Sequence, residues 1–158
     1  MYSGKMKILR PSETARSIFE IDYPRLYRTG KRALLFDLDN TLIDFGKFKE
    51  KAITAAANAM AQAGLKIDPE EPSRKLIEFY YFHGIESDNA FEEFLKKELG
   101  YVDYRILAAG VNAYLKEKYL TLKPYPRVIE TLKGLKQKGL KLGVVTDGIR
   151  LKAWMRLN

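Results

Sequence analysis

A chain of 158 residues has room for one domain with a real core, or for one domain carrying an insertion, but two full domains would be cramped. Its make-up, 46% hydrophobic, 30% charged and 12% aromatic, is that of a folded protein, and the lack of cysteine excludes disulfide frameworks, thiolate metal sites and cysteine nucleophiles. The formal charge is +8, yet lysine and arginine are spread over helical stretches, so a nucleic-acid partner is not favoured. No apolar run has signal-peptide length, and none reaches the roughly 18 residues needed to span a bilayer. No membrane partner is therefore expected, and the cytoplasm is the expected location.

In chain order, two short helices are expected at Ser12 to Phe19 and Asp22 to Arg28, making residues 1–30 a helical lead-in closed by Gly30. Arg32-Ala33-Leu34-Leu35-Phe36-Asp37 is an unbroken apolar run ending in an acid, which suits a parallel strand covered on both faces. From Lys47 the residues Phe48, Ala52, Ala55, Ala56 and Ala59 recur at helical spacing until Gly64. Asp68-Pro69 opens a second helix through Phe82, Ser87 starts a third ending near Gly100, and Asp103 starts a fourth reaching about Leu120. After Pro124-Tyr125-Pro126, Val128, Leu132 and Leu135 mark another helix stopped by Gly139. Leu140 to Thr146 then reads as a second strand, and Leu151, Trp154, Met155 and Leu157 begin a last helix. The expected fold class is α/β, with a core from residues 31–46 and 121–158 interrupted by an all-helical insertion, 47–120.

The chemistry concentrates where the first strand ends. Asp37 and Asp39 are two residues apart, so in strand geometry both carboxylates project to one side. An ionised carboxylate can attack phosphorus or carbon, while a neighbour that exchanges a proton assists the leaving group and later activates water. Paired acids also call for a divalent cation, and Mg²⁺ suits oxygen ligands beside a phosphate. A simple turn would also favour Asp and Asn here. The chemical reading is stronger because an acid directly after a fully apolar strand is costly unless something pairs with it.

The string Phe36-Asp37-Leu38-Asp39-Asn40-Thr41-Leu42 resembles motif one of the haloacid dehalogenase (HAD) superfamily, and Val144-Val145-Thr146-Asp147-Gly148 resembles motif two. The resemblance implies a Rossmann-like core and gives the residues roles: Asp37 the nucleophile that forms an aspartyl-phosphate, Asp39 the general acid and base, and Thr146 the phosphate holder, with Asp147 and Gly148 completing its turn. It also implies Mg²⁺ held by Asp37 and by the backbone carbonyl of Asp39. An acid at position 39 favours a phosphatase over a dehalogenase, since displacing halide needs no proton donor. A Thr-Asp-Gly turn leading into a helix offers free N–H groups to an anion. The helical insertion is similar to the cap of one large HAD subclass, with Asp44-Phe45-Gly46 as its flap.

Of the remaining candidates, Phe79, Tyr80, Tyr81 and Phe82 are expected to serve mainly as core of the insertion. His83, the only histidine, reads as a helix-end residue before Gly84. The resemblance stops after motif two. The later lysine and the later acidic motif of the family are not found after Gly148, and only two strands can be recognised, so the chain reads as a truncated N-terminal portion with little turnover of its own. The expected ligand is a small phosphorylated metabolite, and the bare sheet edge would favour self-association or pairing with a missing C-terminal half. The competing reading is a catalytically incomplete binding or regulatory module that pairs with another chain.

Overall fold

The computed structural model describes Gly30 and residues 33–66 and 72–158. The lead-in helices expected before Gly30 and the Asp68-Pro69 helix start lie outside the described residues. The described elements run β1 (Ala33–Phe36), α1 (Phe45–Gln62), α2 (Pro72–His83), α3 (Ala90–Leu99), α4 (Tyr104–Thr121), α5 (Val128–Gln137), β2 (Lys141–Val144) and α6 (Arg150–Leu157). Among the described residues they divide into two compact units, one of residues 33–44 with 123–158 and one lying within Phe45–Leu122. The first unit is α/β and the second all helical.

In the α/β unit, β1 and β2 pair in parallel with Ala33 opposite Lys141 and Phe36 opposite Val144. The Val145 N–H donates to the Phe36 carbonyl at 2.9 Å and carries the ladder one step further. A parallel pair needs a crossover, and here it contains the whole helical unit followed by α5. Leu38, Leu42, Ile43, Val128, Leu135, Leu140 and Ala153 form the buried apolar set of this unit. β1 departs from the two-sided covering expected for it. Its residues alternate in exposure, and Leu35 is 70% exposed. The physical reason is that a strand buries both faces only where elements pack on each, and among the described residues just one face of β1 is covered.

The helical unit is held by a core in which α1 supplies Ile53, Ala56, Ala57 and Met60, α2 supplies Leu76, Phe79 and Tyr80, and α3 supplies Phe91, Phe94 and Leu95. The small residues of α1 allow close packing, and Gly110 of α4 meets it there: a Cβ on Gly110 would overlap the Met60 side chain, reaching 2.8 Å from its Cγ. The helix ends follow local chemistry. Asp103 caps α4, accepting from the Arg105 N–H at 2.9 Å and the Ile106 N–H at 3.2 Å, and Gly100 ends α3 in the left-handed region at φ 80°. Asp103→Ala is expected to cost this unit about 1 kcal/mol, read as a shift in its denaturant midpoint without a change in slope.

Two helix starts differ from those expected. α3 begins at Ala90 and not at Ser87, because the Ser87 N–H closes a turn onto the Gly84 carbonyl at 3.0 Å and the Ser87 hydroxyl donates to Asn89 Oδ1 at 2.8 Å. α1 begins at Phe45, so Phe45 and Gly46 form its first turn and not a free flap. Phe45 is buried edge-on against Phe48, their ring centroids 5.0 Å apart, and that packing fixes the turn as helix.

Lys49 is the buried charge among the described residues of the helical unit. Its ammonium donates to the Tyr114 hydroxyl at 2.8 Å and lies 5.0 Å from the Tyr80 ring centroid and 5.1 Å from that of Tyr114, so π faces replace part of the water it gave up. Burial, with Tyr114 and Asp88 adding, holds the Tyr80 phenol well above its ordinary value and therefore neutral. Of the four consecutive aromatics, Phe79 and Tyr80 are core while Tyr81 and Phe82 are exposed. His83 ends α2 and stacks on Phe79 with centroids 4.2 Å apart.

Candidate functional site

The site is built where β1 and β2 end side by side. The parallel register brings Asp37, one residue past β1, level with Val145, and Thr146 follows directly. Strands ending together at their carboxyl side is the arrangement in which α/β sheets expose polar residues to a ligand. After Asp37 the chain turns sharply: the Leu38 carbonyl accepts from the N–H groups of Thr41, Leu42 and Ile43 at 3.4, 2.9 and 3.2 Å, and Asn40 adopts φ 57°, a conformation Asn tolerates better than most residues. Leu38 is fully buried and anchors this turn, while the acids on either side of it face more open surroundings. One apolar residue between two acids thus gives the local structure its polarity.

Asp37 is exposed, and its Oδ2 accepts from the Thr41 hydroxyl at 3.3 Å. Asp39 is more enclosed. Its Oδ2 accepts from Arg156 Nη1 at 2.6 Å, in an ion pair whose arginine side chain is 3% exposed and whose aspartate side chain is 19% exposed. Its Oδ1 is shut off from solvent. Arg156 is the site residue that sequence reasoning missed, because it lies 117 positions from its partner. A weak signal existed: on α6 it stands one turn from buried Ala153 and so shares that helix face.

Thr146 has a different local role from the helix cap that its place before a helix would favour. The N-cap of α6 is Ile149, with no side-chain cap bond, and the Thr146 hydroxyl oxygen accepts instead from the Gly148 N–H at 3.2 Å. This small turn draws the chain back over the strand ends, leaving the first N–H groups of α6 without a side-chain cap. Asp147, at the tip, is exposed. Gly148 owes its identity to close approach: a Cβ there would lie 3.3 Å from Thr146 Oγ1, 3.4 Å from Arg156 Nη1 and 3.6 Å from Asp39 Oδ2. Asp39, Thr146, Gly148 and Arg156 therefore converge on one spot, while Asp37 stands on the adjoining strand end.

A cavity of about 620 Å³ borders the same turn, reaching Thr146 and Gly148 at one end. Its other walls are largely apolar, among them Phe36, Leu142, Val144 and Trp154, and neither acid lines it. It lies against Phe36, Leu142 and Val144 of the sheet and Ala153, Trp154 and Leu157 of α6, and not against the acid pair. Among the described residues no cluster of three or more His, Cys, Asp or Glu is assembled to hold a metal. No helix among the described residues is long and apolar enough to cross a membrane.

An α/β unit with parallel strands whose carboxyl ends bear an acid pair and a Thr-Asp-Gly turn, interrupted by a helical unit, defines the structural class. Residues 34–158 match the model of the haloacid dehalogenase-like hydrolases, and the chain belongs to that family. The chain is also 40% identical over 126 residues to the glyceraldehyde 3-phosphate phosphatase of Methanocaldococcus jannaschii, covering 80% of this chain and 55% of that protein. Over 128 residues it is 40% identical to the protein of the same name from Methanopyrus kandleri, with the same coverage on each side. It is 32% identical over 116 residues to a phosphoglycolate phosphatase of Aquifex aeolicus, covering 73% of this chain and 49% of that protein. The chain thus spans about half the length of the curated relatives it matches.

Proposed function

We infer that this chain carries the phosphoryl-accepting part of a Mg²⁺-dependent phosphatase of small metabolites, and the observation that carries the reading is Asp37 at the end of β1 beside the Thr146 turn of β2. Asp37 attacks the phosphorus of a phosphate monoester and becomes an aspartyl-phosphate as the alcohol leaves. As the carboxylate partner of Arg156, Asp39 must first take up a proton from solvent; it then gives that proton to the leaving oxygen, and afterwards takes one from the water that hydrolyses the aspartyl-phosphate. The Thr146 hydroxyl, whose oxygen accepts from the Gly148 N–H and whose proton is left to donate, and the uncapped N-terminal N–H groups of α6 hold the phosphate oxygens, where the positive end of that helix favours an anion. The helical unit, inserted between the two motifs, acts as the cap that selects the substrate.

Mg²⁺ fits the donor set, because it binds hard oxygens and commonly takes only one or two protein carboxylates while keeping its waters. Asp37 and the Asp39 carbonyl would hold it, and bound there it would offset the charge of an incoming phosphate. The relatives named as glyceraldehyde 3-phosphate phosphatases and as a phosphoglycolate phosphatase support a small phosphorylated carbon acid or aldehyde as substrate.

The reading is tested by mixing the chain with p-nitrophenyl phosphate and Mg²⁺ and following both products. A burst of p-nitrophenol of about one equivalent per chain, with phosphate retained on Asp37 by mass spectrometry, is expected even where later turnover is slow. Chelating the metal should abolish both. Phosphate binding without any burst or label would favour the binding-module reading, and the absence of burst, label and binding would reject both.

A further inference from the structure

Asp39 Oδ2 lies 3.6 Å from the point a Cβ on Gly148 would take, so a phosphate dianion arriving at this turn meets repulsion while that carboxylate stays ionised. The structure sets Arg156 against this charge. Its guanidinium, withdrawn from solvent, is bonded to Asp39 at 2.6 Å, and the same Nη1 lies 3.4 Å from the position a Cβ on Gly148 would take, with Thr146 Oγ1 at 3.3 Å from that point. An arginine remains charged under all ordinary conditions, and a charge pair shielded from water acts more strongly than one in bulk solvent.

We propose that Arg156 is the charge-balancing residue that lets the Thr146–Gly148 turn hold a phosphate oxyanion, by cancelling Asp39 at the point where the turn meets it. The inference rests on the phosphate-site reading above and adds to it a residue outside both motifs. Arg156 acts through Asp39 and is a positioning residue: it holds that carboxylate in one place and removes its repulsion of the ligand. Gly148 borders the same device, since a Cβ there would crowd Thr146 Oγ1 at 3.3 Å and come into contact with Arg156 and Asp39.

The test is calorimetric titration of the 158-residue chain with inorganic phosphate at neutral pH, without divalent cation, so that the protein's own charges are read. Five proteins are compared: the unaltered chain, R156Q, R156K, the double variant D39N/R156Q, and T146V, each checked for a cooperative melt. Uncovering one repelling charge in R156Q should weaken phosphate binding by about tenfold or more, while R156K should stay within about threefold of the unaltered chain. The double variant should recover to within about threefold, because the carboxylate that Arg156 cancels is gone as well. A structural or direct-contact role for Arg156 predicts no such recovery.

Should R156Q fail to fold, R156K and D39N/R156Q decide, since both keep the local charge balanced. R156Q binding like the unaltered chain, or a folded double variant as weak as R156Q, overturns the inference. T146V weakened beside an unaffected R156Q leaves the phosphate-site reading standing and sinks the Arg156 inference alone. T146V binding normally removes Thr146 from the phosphate site and leaves the arginine comparison to decide the rest. No phosphate binding by the unaltered chain without the cation overturns the inference and leaves the Mg²⁺-dependent reading to the burst assay.

Discussion

Asp37→Asn is expected to lower the rate of p-nitrophenol release and of covalent labelling by about 10³-fold or more, as loss of a nucleophile does when other groups of a site remain in place. The amide has nearly the shape of the carboxylate and can still accept from the Thr41 hydroxyl, whose oxygen stands 3.3 Å from Asp37 Oδ2. What it lacks is an ionised oxygen able to form the bond to phosphorus. Asp37 is exposed, so the substitution leaves no buried group stranded, and the denaturant midpoint should move by no more than about 0.5 kcal/mol equivalent. Rapid-quench assay with equilibrium unfolding on the same preparations separates the two effects. A labelled Asp37→Asn protein would show that the phosphoryl group is accepted elsewhere and would remove Asp37 from the role given to it.

The largest loss of stability is expected from Phe94→Ala, at about 3–5 kcal/mol, because the truncated ring leaves a cavity that close-packed neighbours fill only in part. Phe94 is 1% exposed and meets Phe79 edge-on with centroids 5.5 Å apart, in the core formed by α1, α2 and α3. Chemical denaturation followed by far-UV circular dichroism reads the helical unit, which supplies most of the described helix. A cost below about 1 kcal/mol would mean that α3 is not an integral wall of that core.

Much of the chain is legible from local chemistry alone. The apolar run ending in Asp37 forms β1, and the helical spacing of Phe48, Ala52 and Ala56 puts three residues on the buried face of α1. Asp103 and Gly100 mark helix ends because capping is settled by the side chain or backbone freedom of one residue. Periodicity is less informative about where a helix starts when a neighbouring turn competes for the same N–H groups, as at Ser87, or when a burial partner one turn away adds a further turn, as at Phe45. It is silent on covering. The run Leu34-Leu35-Phe36 is apolar throughout, yet Leu35 is exposed, since burial depends on what lies against the strand and not on the strand's own residues.

Neighbouring residues alone are enough to specify the two acids at one strand end, the Thr-Asp-Gly turn at another, and the family to which both motifs belong, because each is a run of adjacent residues whose geometry follows from strand and turn rules. Tertiary structure alone decided that the strand ends lie level, and that Arg156 is brought from 117 positions away to close a 2.6 Å ion pair on Asp39. No local rule reaches across that distance. The pair exists because α6 folds back on the end of a sheet whose two strands are joined only through the whole intervening chain.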